Sequence, residues 1–257
     1  MQREGVEKHQ KLAEQVAARF SVLPEVEAVA LAGSSVCNTT DSEADVDIYV
    51  YSQIDILPEI RHEIASGFSE QATINDFWGP GNEWFDPETG IHVDVMFWTV
   101  DWIEEQLDRV LVRHQARVGY STCFWYTVRQ SRMLFDRKGW FQQLQVMAQQ
   151  PYPEPLVHAI IANNYPILRD NPSAYLHQLE KAVRRGDLVS VNHRVAAFLA
   201  SYFDIVFAVN RLPHPGEKRL LTYAEKHCPK LPPGVRQQIE SLIHASVGEG
   251  IGGCLMR

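Results

Sequence analysis

Two apolar runs constrain this chain most: Ala44-Asp-Val-Asp-Ile-Tyr-Val-Tyr51 and Ile91-His-Val-Asp-Val-Met-Phe97. Each alternates with the period of two that marks a half-buried strand. Successive strand side chains point to opposite faces, so Asp45 and Asp47 share one face while Val46, Ile48 and Val50 enter the core from the other. In the second run Ile91, Val93, Val95 and Phe97 take the buried face. That leaves Asp94 on the polar face, able to join the pair if the two strands are neighbours. Three acids so close repel one another unless cations sit between them. Hard carboxylate oxygens suit Mg²⁺, which keeps waters and substrate phosphates as its other ligands. The layout is that of a two-metal phosphoryl-transfer site, with Asp45, Asp47 and Asp94 as candidate catalytic and metal-binding residues.

A lone Asp-x-Asp marks no more than an exposed strand face. Here it follows a strand-like Val26-Glu-Ala-Val-Ala-Leu-Ala32 that runs into the small-residue turn Gly33-Ser34-Ser35. Gly33 lets the backbone approach a phosphate, and the amides and hydroxyls of Ser34 and Ser35 can hold it.

Gly33-Ser34, Asp45-Val-Asp47 and Asp94 resemble the signature of the nucleotidyltransferase superfamily, the polymerase-beta-like fold. Its members include kanamycin (aminoglycoside), streptomycin and lincosamide nucleotidyltransferases, minimal nucleotidyltransferases and tRNA-tailing enzymes. The resemblance spans residues 20 to 100. It implies that Asp45 and Asp47 bind two Mg²⁺ ions, that Asp94 completes the site, and that Gly33 and Ser34 hold the triphosphate of an NTP, ATP first. The implied reaction moves a nucleoside monophosphate to a hydroxyl of a small molecule, an aminoglycoside-like antibiotic by analogy, and releases pyrophosphate. Asp94 is the expected acceptor of the hydroxyl proton, with Glu83 and Glu88 as alternatives. The rival readings are nucleotidylation of a protein or tRNA, and a noncatalytic nucleotide-binding regulator of antitoxin type. The chain departs from many antibiotic-modifying members after Gly-Ser, where it reads Val36-Cys-Asn-Thr-Thr40 without a further glycine.

The expected fold class is α+β: a nucleotidyltransferase-fold mixed β-sheet flanked by helices over residues 1–150, then an all-α helical bundle over 151–257. Helical spacing over Gly5 to Phe20, turn signals at Pro80-Gly81 and Pro87-Glu-Thr-Gly90, and a helix from Trp102 to Arg113 fill the first part. In the second, Pro153-Glu-Pro starts one helix and Asn171-Pro172 another. A long apolar stripe runs from Leu188 to Val209. In Asn210-Arg-Leu-Pro-His-Pro-Gly-Glu-Lys218, Pro215 suits a first helical turn and places Lys218 near a helix N-terminus. Similar helical domains of small-molecule nucleotidyltransferases send a basic residue to the phosphates, which makes Lys218 a candidate nucleotide ligand.

At 257 residues and 45% hydrophobic, the chain can build one large core or two modest ones. A net charge of −8 gives no basic field, which argues against a nucleic-acid partner. Cys37, Cys123, Cys228 and Cys254 show no metal-ligand spacing and read as reduced thiols, so a cytoplasmic location is expected. No membrane partner is expected either: the apolar stretch from Val195 to Val209 is too short to span and contains Asp204. A homodimer is left open.

Overall fold

The structure, a computed structural model, describes residues 2–33, 45–77 and 79–247. The chain divides into two compact units, one of residues 1–108 and 127–150, the other of residues 109–126 and 151–257.

The first unit carries a six-stranded sheet. In chain order the elements up to residue 150 are α1 (Gln2–Phe20), β1 (Val26–Ala32), β2 (Val46–Ser52), α2 (Pro58–Ser66), β3 (Thr73–Ile74), β4 (Gly81–Phe85), β5 (His92–Thr99), α3 (Val100–Leu111), α4 (Cys123–Gln130), β6 (Arg132–Asp136) and α5 (Trp140–Ala148), the end of α3 and the first half of α4 falling in the second unit. The strand order is β3-β4-β5-β2-β1-β6. β2 and β5 run parallel and the other pairs antiparallel, so the sheet is mixed and the fold is α+β.

Each face has its own cover. Leu12, Val16 and Phe20 recur along one stripe of α1 and pack with Val29, Leu31, Ile48, Val50, Val93 and Val95. Phe20 is fully buried and meets the Phe97 ring edge-on at 5.3 Å. Its burial contributes about 2 kcal/mol. On the opposite face β1 offers Ala28, Ala30 and Ala32 beside Tyr51, Tyr49 and Asp47. The small alanines leave room for α5, whose Phe141 stacks on Tyr51 at 5.2 Å. Trp102 of α3 meets Trp98 at 5.1 Å. The ends of β2 and β5 that carry Tyr51 and Trp98 are therefore covered by helices.

The second unit contains α6 (Glu154–Tyr165), a π-helical turn (Pro166–Asp170), α7 (Tyr175–Arg185), α8 (Leu188–Val209), α9 (Leu220–His227) and α10 (Val235–Val247), with no strand among its described residues. Pro166 has no N–H to continue the α6 ladder, and the helix widens there. α8 is central and packs on α6, α7 and α10. Phe203 and Phe207 face Ala224, Val235 and Ile239, while Val191 and Val195 face Ala182. Asp187 caps α8 by accepting from the Ser190 amide and hydroxyl at 3.0 and 2.7 Å. The expected helix start at Asn171-Pro172 is displaced: α7 begins at Tyr175. Asn171 is extended, as a residue before proline prefers, and residues 171–174 form a turn closed by the Ala174 amide on the Asn171 carbonyl. Among the described residues no helix is long and apolar enough to cross a membrane.

A polar cluster lies inside this unit. Gly119 and Tyr120 both adopt left-handed backbone, with φ of 72° and 53°. Asn164 accepts from the Gly119 amide at 2.9 Å and donates to the Arg117 carbonyl at 3.0 Å. Asp204 accepts from the Ser121 amide at 3.0 Å, from its hydroxyl at 2.6 Å and from Asn164 at 3.3 Å. Burial pushes the Asp204 carboxyl up to about 6, against those three hydrogen bonds. His214, also buried, donates its amide to Thr122 and accepts from the Gly216 amide on Nδ1 at 3.1 Å, and burial pushes its imidazole down to about 4.

Candidate active site

The site is a row across the sheet. Ala32 at the end of β1 pairs with Asp47 of β2, Asp47 with Asp94 of β5, and Asp94 with Glu83 of β4. Directly paired residues point to one face, so Asp47, Asp94 and Glu83 stand side by side on successive strands about 4.8 Å apart. All three are half-buried, whereas Val46, Ile48, Val93 and Val95 between and beside them are sealed in the core. Period-two alternation is the local cause, and the parallel register of β2 on β5 brings the acids together.

One step along the strands lies a second row. Asp45 precedes β2, and its Oδ1 is 3.6 Å from His92 Nδ1. The other nitrogen of that ring, Nε2, is 3.7 Å from Glu83 Oε2. Phe85 lies against His92 with ring centroids 4.9 Å apart. Glu83 Oε2 also accepts from Asn75 Nδ2 at 3.1 Å. In the opposite direction along β2, Tyr49 stacks on Trp98 at 4.4 Å. Its phenol is held well above the ordinary range, by burial first and then by the charges of Asp47 and Asp94, so it remains a neutral hydroxyl.

Gly33 ends β1 with φ of 69°. A Cβ built there overlaps the Asp47 carboxylate, so only glycine lets the chain turn against that group. The positive φ and the close approach to Asp47 thus each call for glycine at position 33, the residue expected to face a phosphate. Gly33→Ala is expected to lower stability by about 1 kcal/mol through the left-handed backbone alone. It should also cut transfer more than tenfold by displacing Asp47. Melting and turnover of the same preparation check both.

Ser34 and Ser35 lie outside the described residues, as do Cys37 and Trp78. Among the described residues no group of three or more His, Cys, Asp or Glu side chains forms a ready-made metal cluster. Mg²⁺ does not demand one: it takes one or two carboxylates and completes its shell with water and substrate phosphates. The Asp47–Asp94 pair, with Asp45 one step away, has the oxygen chemistry such an ion would need.

Lys218 is exposed and lies in the second unit. The expected helix at Pro215 is corrected: Gly216 and Arg219 have φ of 101° and 55°, which a helix cannot contain, and α9 starts at Leu220. Lys218 sits in the turn just before it. The groove between α3 and α5, lined by Asp101, Glu104, Glu105, Asp108 and Trp140, contains none of the row. The position of Glu83 opposite Asp94 is invisible in sequence, although Gly81-Asn-Glu-Trp-Phe85 does alternate and sends Trp84 to the core.

With this geometry in view, similar proteins can be compared. The model of a domain of unknown function (DUF4037) matches residues 124–220, a stretch that includes Asn164, Asp204, His214 and Lys218 but none of the acids of the row. No curated protein matches the chain. Among solved structures, the chain is similar to a nucleotidyltransferase-like protein from Exiguobacterium sibiricum 255-15, at 14% identity and a TM-score of 0.41, over 90% of this chain and 72% of that one. It is also similar to the STING-associated CdnE c-di-GMP synthase from Capnocytophaga granulosa, at 13% identity and a TM-score of 0.35, over 95% of this chain and 80% of that one.

Proposed function

We propose that this chain is a nucleotidyltransferase that moves a nucleoside monophosphate from an NTP, ATP first, to a hydroxyl of a small molecule such as an aminoglycoside-like antibiotic. The observation that carries the reading is Asp47 paired in register with Asp94 on one strand face, with Gly33 turned against the Asp47 carboxylate. Asp45, Asp47 and Asp94 would hold two Mg²⁺ ions. Those ions would neutralise the triphosphate and lower the pKa of the accepting hydroxyl.

The chain's own residues orient the reactants. Gly33, with Ser34 and Ser35 that follow it in the sequence, would receive the phosphates through backbone amides and hydroxyls, as the resemblance implies. Asp47 and Asp94, neighbours on β2 and β5, would hold the cations, and these would supply charge neutralisation to the phosphates. The hydroxyl oxygen bonds to the α-phosphorus, the bond to the oxygen bridging to the β-phosphate breaks, and pyrophosphate leaves with that electron pair. Tyr49, kept protonated, can donate beside the carboxylates without adding charge.

Purified protein incubated with each NTP, Mg²⁺ and a panel of hydroxyl-rich acceptors should yield an acceptor heavier by one nucleoside monophosphate, with pyrophosphate, by mass spectrometry. Intact NTP with every acceptor would count against the reading. The assignment of Lys218 to the triphosphate rests on the resemblance and has its own check. Lys218→Ala is expected to slow transfer tenfold or more, about 1.4 kcal/mol of barrier per tenfold, with little change in melting because the side chain is exposed. Unaltered NTP kinetics would return it to the surface.

A further inference from the structure

The order of groups across the sheet carries more than a list of acids. Reading from β1 through β2 and β5 to β4, the chain presents Gly33, Asp47, Asp94 and Glu83 in line. Phosphoryl transfer places the entering and leaving oxygens on opposite sides of phosphorus. With the leaving phosphates at the Gly33 end and the α-phosphate opposite the Asp47–Asp94 pair, the entering hydroxyl must come from the β4 side. The group waiting there is Glu83.

We infer that Glu83 is a catalytic residue that holds the accepting hydroxyl, an inference that rests on the nucleotidyl-transfer reading. Its side chain is aimed rather than loose. Asn75 Nδ2 bonds to Oε2 at 3.1 Å, and His92 Nε2 lies 3.7 Å from the same oxygen. Among the described residues both partners are on Oε2, which leaves Oε1 to accept the hydroxyl's hydrogen bond. β4 pairing fixes the backbone from which the glutamate projects, and the stacking of Phe68 on the neighbouring Trp84 at 5.5 Å anchors that strand from the other face. As the hydroxyl oxygen bonds to the α-phosphorus and pyrophosphate departs, the proton passes along this hydrogen bond to Oε1. Asp94 then serves the nucleotide, and the role first expected of it passes to Glu83. The longer glutamate side chain suits the outer place in the row, since it spans the gap to a bound acceptor that an aspartate on β4 would leave.

The test compares wild type with Glu83→Gln and Glu83→Ala in steady-state transfer, with calorimetric titration of ATP and Mg²⁺ and a melting curve for each. The inference expects both variants to lose 100-fold or more in kcat, the range of a positioned acid or base. ATP affinity should stay within about twofold of wild type, since the glutamate does not serve the nucleotide. Asn75→Ala, which frees the carboxylate but keeps it, should lose less. Undiminished transfer by Glu83→Gln beside an active wild type overturns this inference alone. A parallel fall in ATP affinity also overturns it, by placing Glu83 with the triphosphate. If Glu83→Ala unfolds, the isosteric Glu83→Gln decides. Absence of transfer by wild type with every NTP overturns the nucleotidyl-transfer reading and takes this inference with it.

Discussion

Replacing Asp47 by asparagine is expected to lower nucleotidyl transfer at least a thousandfold, about 4 kcal/mol of barrier, while the metal-free protein melts no lower than wild type. Both halves follow from the row. Asp47 pairs with Asp94, and Asp94 with Glu83, so three carboxylates lie within two strand spacings and repel one another when no cation intervenes. An amide at the Asp47 end of that row removes repulsion on Asp94 but supplies a much weaker oxygen to a hard cation. Asp45→Asn should behave alike. Its carboxylate lies one step along the strand beside His92 and is not replaced by any group in the first row. Turnover with Mg²⁺ and NTP, set against melting without metal, measures the two effects separately. Near-normal turnover in either variant would mean that the site lies elsewhere.

The second large effect is expected in the other unit. Asp204→Ala should lower unfolding free energy by about 2 kcal/mol, because it leaves the Ser121 amide buried without its acceptor and removes the shortest acceptor of the Ser121 hydroxyl, while Asn164 Nδ2 keeps the Arg117 and Ile160 carbonyls. Asp204→Asn keeps an oxygen in place and avoids burying a charge, so it should be milder at neutral pH. Acid sharpens the contrast. The folded Asp204 takes its proton at about 6 rather than 3.8, so the folded state gains stability as pH falls through that range. His214 works the other way: the unfolded imidazole takes a proton near 6.5 and the folded one only at about 4, so stability is lost as pH falls. The two effects oppose one another, each on the order of a few kcal/mol. Between pH 6.5 and 4, urea unfolding should therefore lose more stability with acid in Asp204→Asn than in wild type, because the variant lacks the opposing carboxyl. Equal slopes would refute the assignment.

Some of this was legible in the sequence, and for identifiable reasons. Alternation assigns β2 and β5 and separates the acids from the core side chains, since period two is a local property, while β1 is read from a short, nearly continuous apolar run that is buried throughout. α8 follows from its apolar stripe to the same ends, Leu188 and Val209. β6 does not: Arg132-Met-Leu-Phe-Asp136 is only partly buried, and what makes it a strand is its pairing with β1, more than a hundred residues earlier in the chain. The same holds at the site. That Asp94 leaves the core face is local, but its place between Asp47 and Glu83 depends on a register no short window contains. Asn164 carried no signal at all, because a buried asparagine looks like any surface one until its partners Gly119, Arg117 and Asp204 are in place.

The parallel pairing of β2 with β5 has a consequence for how the chain comes to work. Parallel neighbours cannot be joined by a tight turn, so α2, β3 and β4 must all be laid down before Asp94 can arrive beside Asp47. The entropy of closing that long loop falls on the very contact that makes the site, which places its assembly late in folding. A slip of one residue at that moment would turn Asp94 into the core and Val93 or Val95 out to solvent. The apolar face forbids this, so the packing of valines under α1 is what proofreads the alignment of the acids above them.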